Sequence, residues 1–504
     1  MIALRRLRAI PLSTFSHPAR TPLLPNAYTS VLTRRASALQ SRRRAFNSWR
    51  EPPDAPQPVS AVRRILSLEF LRRWAVLSAG SVFILGAFLL CGYQGVQVWV
   101  EVGALAPERN SEVKRWQWEQ ELDDWGGGHE RGGTDSRLGF WNQHLVRIAF
   151  LHENYGAPER IEDYRRLSRA ILELVVKKIS EKDPNSLALP PLYLRLAAAL
   201  ERNQHPDDLV QAAECYRLAL KATETDGFER PRVQIRLGNV YAALGDTQSA
   251  RELWQEAIQS CSRKELAPGS LVPDKLPSPP VDQRTLLTAL QSYSGSLSSS
   301  GEFDQAIKLQ QAARSLLNPP TFPDVNNTTP PEMLHDLYLA HRAALFTIHL
   351  AEVSYAQSKR PPPVARWLAF GRPAENTTPL ELLHTAAEYS ERVALALQGL
   401  EYAYIPPQSA SDGSLIKPFA TASRAVNKPA KALLRDARRS AAQAWRLSGI
   451  VNRENGDGDR ALECFTRALA WAGPGEPAPD TLESEWRAIS DAYAQTKEQL
   501  LALK

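Results

Sequence analysis

The 504-residue chain is poor in the residues that most often announce chemistry. Its four cysteines, Cys91, Cys215, Cys261 and Cys464, are scattered, and no two of them stand close enough for a CxxC or similar metal-ligand pair. They are expected to be small apolar side chains, Cys91 within an apolar run. No HExxH, P-loop glycine signature, GxSxG or paired zinc-ligand motif occurs, which removes the familiar signatures of metal, phosphate and serine chemistry. His335, His341 and His349 share one helical stretch, but spacings of six and eight do not stack them on one face. They read as ordinary helix histidines. Alternating apolar and polar residues are also missing beyond residue 140, so strands are not expected there. No catalytic residue, cofactor or metal site is expected.

Acids are absent before Glu51, and lysine is absent from the first 73 residues, which hold 14 arginines and three acids. That segment carries a net charge of +11 and the remainder −5, so the overall +6 belongs to the leader. A nucleic-acid partner would need a basic face on the folded part and is not expected. No apolar core of 7–15 residues lies near the start, which argues against a secretory signal. What is present instead is Arg-, Ser- and Thr-rich, with Ile2, Leu4, Leu7 and Ile10 beside Arg5, Arg6 and Arg8, the pattern of a mitochondrial presequence. Arg44-Ala45-Phe46 resembles a matrix-peptidase site, and the proline-rich residues 51–60 form a linker. A mitochondrial destination makes the sequons at Asn326, Asn327 and Asn376 ordinary loop residues.

Long apolar runs are absent too, except one. Residues 74–100 contain no charge, and about 20 apolar helical residues cross a bilayer core about 30 Å thick. Arg63, Arg64, Arg72 and Arg73 precede the run, whereas Glu101 and Glu108 follow it. The positive-inside rule then places the N-terminus in the matrix and the C-terminal domain in the intermembrane space of a single-pass inner-membrane protein. Ala75, Ala79, Ala87, Cys91 and Gly95 form a small-residue stripe that could admit a second helix.

Beyond the run, residues 108–125 read as a surface helix with three tryptophans, followed by a flexible glycine-rich turn. From Phe140 onward apolar residues recur at helical spacing, and turn signals arrive every 12–20 residues. Three stretches share one set of offsets. Residues 231–264 have Leu237-Gly238, Tyr241, Gly245, Ala250, Trp254 and Ala257; residues 287–320 have Ser294, Leu297, Gly301, Ala306 and Ala313. Residues 442–475 have Trp445, Gly449, Gly456, Ala461, Phe465 and Ala468. The offsets resemble the 34-residue tetratricopeptide repeat, in which small residues sit where two antiparallel helices touch. Weaker units read at 143–180, 190–225 and 343–397, the last with an insertion near 360–379. Residues 292–300, rich in serine, fall inside a first helix and read as small packing residues.

The expected fold class is therefore all-α, a tetratricopeptide-like helical solenoid preceded by one transmembrane helix. Its parts are a presequence (1–48), a matrix-side linker (49–73) and the span (74–99). A juxtamembrane helix with a Gly-rich linker (100–139), the repeat array (140–475) and a C-terminal capping helix (476–504) follow. This order resembles the tetratricopeptide adaptors of fungal mitochondrial i-AAA proteases. The resemblance implies a non-enzymatic role in which the array holds unfolded polypeptides and passes them to a membrane-anchored AAA protease alongside a second membrane subunit. A membrane-tethered scaffold, or an assembly or import factor for another inner-membrane complex, would share the organisation. Arrays of this family bind peptides along the face lined by each unit's first helix, near which Arg195, Arg232, Arg236, Asn239, Arg446 and Arg453 project by offset. A solvated charged surface is the alternative for each arginine. Asn239 matches one place of the family's chaperone-tail clamp, but Ile235 stands where lysine is needed, so chaperone tails are not the expected ligand.

Overall fold

A computed structural model describes residues 68–118, 133–156, 160–222, 230–262, 271–317, 328–359, 378–401, 414–475 and 481–503. The presequence, the linker to residue 67 and most of the 360–379 insertion lie outside these. Among the described residues there are sixteen α-helices and no strand. The chain forms two units that divide between Ala104 and Leu105.

The first unit is α1, Leu68–Trp99, continued by a π-helical turn, Val100–Ala104. Nothing in its sequence breaks a helix, and 32 residues at 1.5 Å each span about 48 Å. It is long and apolar enough to cross a membrane. Its large side chains face outward, with Leu77 68% and Phe83 77% exposed, whereas leucines elsewhere are mostly buried. Gly80, Gly86, Gly92 and Gly95 have open space beside them.

The second unit holds α2 (Ser111–Arg115), α3 (Phe140–Tyr155), α4 (Ile161–Lys182), α5 (Leu189–Glu201), α6 (Pro206–Ala222), α7 (Arg230–Leu244), α8 (Thr247–Ser262) and α9 (Pro280–Ser300). It continues with α10 (Phe303–Ser315), α11 (Pro330–Ser358), α12 (Pro379–Gln398), α13 (Lys417–Ala420), α14 (Arg424–Glu454), α15 (Gly458–Ala472) and α16 (Glu483–Leu503). From α3 onward the long helices pack on their sequence neighbours, and α7 also touches α9, α9 touches α11, and α11 touches α14. The apolar core is accordingly shared out along the chain. One cluster joins α7 to α11 and a second joins α11 to α16, so α11 belongs to both.

The repeated offsets have a common structural cause. Gly245, Gly301 and Gly456 end α7, α9 and α14 at φ 90°, 80° and 86°, where a side chain would be strained. In each turn the glycine N–H bonds three residues back, and the next N–H bonds five back, as Asp246 to Tyr241, Glu302 to Leu297 and Asp457 to Asn452. The chain is thereby reversed within two or three residues. Asp246 and Asp457 then cap the following helix through their carboxylates. Ala250, Ala306 and Ala461, and later Ala257, Ala313 and Ala468, are fully buried at the closest approach. Gly238 lies under the Trp254 indole and Gly449 under the Phe465 ring. Ser294 takes the same place in α9, fully buried, with its hydroxyl returned to the Gln291 carbonyl.

Three expectations need correction. The described part of 108–125, residues 108–118, is not a surface helix: α2 is five residues long, capped by Asn110, and Gln117 turns away from it at φ 55°. Val113 and Trp118 are buried in one apolar cluster with α11, and Trp118 also meets Arg284 of α9, because an indole placed there escapes water that a surface helix would leave on it. The described part of the glycine-rich turn is also packed, with Thr134, Asp135 and Leu138 buried around a 3-10 turn capped by Asp135. Finally, α11 and α14 start at Pro330 and Arg424, well ahead of the expected 343 and 442, each on a clean N-terminal signal or a polar lead-in.

Candidate functional site

The first helices α9, α11 and α14 touch in succession, and their polar side chains connect across the joints. Thr288 Oγ1 and Tyr338 Oη lie 3.3 Å apart, and the Arg342 guanidinium rests 4.8 Å over the Tyr338 ring while donating to Gln291. His341 Nε2 and Ser440 Oγ pair at 3.1 Å. Gln443 donates to Glu352 at 3.2 Å, and Arg439 Nε donates to Glu485 of α16 at 2.7 Å. The result is a half-buried polar stripe in which guanidinium groups and carboxyls alternate. Such a stripe offers donors and acceptors at helix spacing, suited to an extended chain rather than to one small molecule.

The stripe shifts its own acids. Burial pushes the Glu352 carboxyl up to about 7 against the opposing pull of Gln443 and Arg446. Burial likewise pushes Asp436 up to about 7, although Arg439, Arg342 and Arg435 oppose it. His341 and His349, both buried, are pushed down to about 3 and about 4, first by burial and then by the Arg342 charge. They pack as neutral rings. Among the described residues no group of His, Cys, Asp and Glu could hold a metal ion.

Of the six residues expected on this face, the structure brings only some near it. Arg446 lies between Glu352 and Glu485, and burial lowers its pKa. Arg453, also on α14, donates to Thr496 of α16 at 3.5 Å. Arg195 is buried on α5 with its charge directed to Asp135. Arg236 faces the bonded pair Glu201 and Tyr216, while Arg232 and Asn239 are half-buried on α7. The two groups, on α5 and α7 and on α14, are separated by α9 to α12. The offsets missed Arg342, Glu352, Asp436, Arg439 and Gln443, because α11 and α14 were read only from their C-terminal halves. A signal was present in the charged run of residues 428–446, six of whose side chains are Lys or Arg, at 428, 431, 435, 438, 439 and 446.

Two depressions lie elsewhere on the second unit. One of about 440 Å³ is lined by Glu214, Arg217, Leu218, Leu220, Lys221 and Arg230. The other, at Glu153, Arg169 and Arg202, holds about 10 Å³. Neither lining contains a nucleophile beside a base. No family model matches this chain, and no curated protein matches it.

A last constellation closes the C-terminal end. Glu391 of α12 is 1% exposed and accepts from Trp445 Nε1 at 2.7 Å, Trp471 Nε1 at 2.8 Å, and Arg467 Nε and Nη2 at 2.8 and 2.6 Å. Both carboxylate oxygens are engaged inside the fold, Oε1 by three donors and Oε2 by one, so Glu391 ties α12, α14 and α15 together rather than facing a ligand.

Proposed function

We propose that the chain is a non-enzymatic adaptor anchored in the mitochondrial inner membrane, with a tetratricopeptide-like solenoid facing the intermembrane space. The solenoid holds unfolded polypeptide on its first-helix face and presents it to a membrane-anchored AAA protease. The observation that carries the reading is the polar stripe along α9, α11 and α14, on an array of helix hairpins that follows one membrane-length helix. A row of half-buried donors and acceptors suits the backbone and side chains of an extended polypeptide. Anchoring protease and adaptor in one membrane would raise their effective concentration for each other.

The test is purification of the tagged full-length protein from mitochondria in mild detergent, with co-purifying subunits identified by mass spectrometry. Near-stoichiometric AAA protease is the expected result. Translocase or respiratory-complex subunits without any protease would overturn the adaptor reading in favour of an assembly scaffold.

A further inference from the structure

The first-helix face is already occupied at one end by the chain itself. Trp118 is 2% exposed, and its Nε1 donates to the Pro331 carbonyl at 2.7 Å, at the start of α11. Its ring meets Tyr338 edge-on at 6.5 Å and lies 4.2 Å from the Arg284 guanidinium. Trp116 sits against His335, with ring centroids 5.2 Å apart. Between the two indoles the backbone is read directly: Arg284 Nη2 donates to the carbonyls of Trp116 and Gln117 at 3.2 and 3.1 Å. Gln117 Oε1 in turn accepts from the Val281 N–H at 3.4 Å, in the first turn of α9, where Pro279 offers no side-chain cap.

Arg284 is held for this task. It is 2% exposed, and its Nη1 lies 3.1 Å from His335 Nδ1. A guanidinium can only donate, so Nδ1 is the acceptor, and Nε2 carries the proton toward Gln283 Oε1 at 2.8 Å. Two aromatic sockets, one donor for consecutive carbonyls and one helix-end N–H describe a slot that recognises a chain turned at Gln117, with φ 55°, not merely an apolar surface.

The occupant has little order of its own. Helix α2 has five residues, far too few to persist without docking. Five glycines stand among residues 126–133, C-terminal to the segment. Its seat thus depends on the slot, and such segments open at free energies below that of the whole fold.

We propose that the slot between α9 and α11 is a recognition site for a tight-turn segment carrying tryptophans two residues apart, filled in cis by Trp116–Gln117–Trp118 until an external segment of that chemistry displaces it. This rests on the reading that the first-helix face binds polypeptide, and it names the kind of segment that one part of that face accepts.

The probe is a fluorescein-labelled synthetic peptide of residues 110–122, titrated into the full-length protein in detergent and followed by anisotropy. The Trp116→Ala/Trp118→Ala variant, folded by circular dichroism, is expected to bind the peptide. Wild type is expected to bind it about a hundred-fold or more weakly, because the tethered segment competes at high effective concentration. Adding Arg284→Ala to the double variant is expected to abolish binding. A folded double variant that ignores the peptide would overturn the site, and equal binding by wild type would overturn occupancy in cis. Should the double variant fail to fold, hydrogen exchange on wild type decides. Faster exchange of residues 113–118 than of α9 and α11 supports a displaceable segment, and equal protection overturns it. Co-purification of a protease without peptide binding would remove this inference alone, whereas peptide binding without a protease would remove only the adaptor role.

Discussion

Glu391 occupies a helix position that other hairpins fill with a ring. Counting from the preceding alanine, Ala387 and Glu391 correspond to Ala212 and Tyr216, to Ala250 and Trp254, and to Ala461 and Phe465. A buried carboxylate is costly unless its partners satisfy it, and here four donors do so. Removing one member of such a buried pair strands the other. Glu391→Ala is therefore expected to cost about 3–5 kcal/mol, read as a lowered urea midpoint in detergent. The stripe predicts a pH dependence as well. Because burial raises the Glu352 and Asp436 carboxyls to about 7, the folded chain holds these protons more tightly than the unfolded chain. Their contribution is complete below the ordinary carboxylate range and is lost as pH rises through about 7. The lowered His341 and His349 act oppositely, costing stability only as pH falls below about 6.5, where the unfolded rings take up protons. Between pH 8 and 6.5 the carboxyls dominate, so the urea midpoint is expected to rise on acidification, by up to about 1 kcal/mol for each group. Glu352→Gln should remove part of that rise. An unchanged slope would show that Glu352 is not protonated in this range.

The helix hairpin puts its two glycines to different uses, and substitutions separate them. Gly449 has the Phe465 ring 2.7 Å from where a Cβ would stand, so Gly449→Val must displace the ring from a packed core, a change that costs about 1–3 kcal/mol or more. Gly456 has open space but φ 86°, so Gly456→Ala carries only backbone strain of about 1–2 kcal/mol. Thermal melts of the two variants should place Gly449→Val lower; the reverse order would mean that Phe465 yields easily. These same residues explain what could be read from the sequence. Glycine at a positive φ and alanine at a helix crossing are dictated locally, so three hairpins were visible from their offsets, and α16 from its likeness to the extra helix that covers the end of such arrays. The early starts of α11 and α14 were not, because neither start stands at a fixed offset from the glycine and alanine positions of its hairpin. Trp116 and Trp118 were misread for a related reason. Their partners, Arg284, Pro331 and His335, lie more than 160 residues onward, and no local pattern records them. Arg195 illustrates the converse, a groove candidate by offset that the fold buries beside Asp135.

Most contacts in the second unit run between sequence neighbours and between successive first helices; the exceptions are residues 116–118 on α9 and α11 and Arg424 of α14, 5.0 Å over the Phe150 ring of α3. A fold wired this way is close to one-dimensional, with stability set by each hairpin and its adjoining interfaces. Damage should then stay near where it is made. Glu391 joins α12, α14 and α15, and the cluster around it reaches α16 through Ile489 and back to α11 through Leu337 and Ile348. Helices α3 to α6 share no residue with that cluster. In Glu391→Ala, hydrogen exchange measured under mild urea is expected to accelerate across α12 to α16, and less in α11, while α4 to α6 keep their wild-type protection. Helix α11 is the informative boundary, because it also contributes Ala343, Phe346 and Val353 to the neighbouring cluster. If α11 transmits the loss, protection in α9 and α10 should fall next, and the slot that seats Trp118 should loosen with them. Uniform acceleration from α3 to α16 would instead mean that the array opens as one cooperative body. In that case substitution at one end could alter the polar stripe at a distance, and variants of Glu391 would need to be judged on global stability before any effect is assigned to the stripe itself.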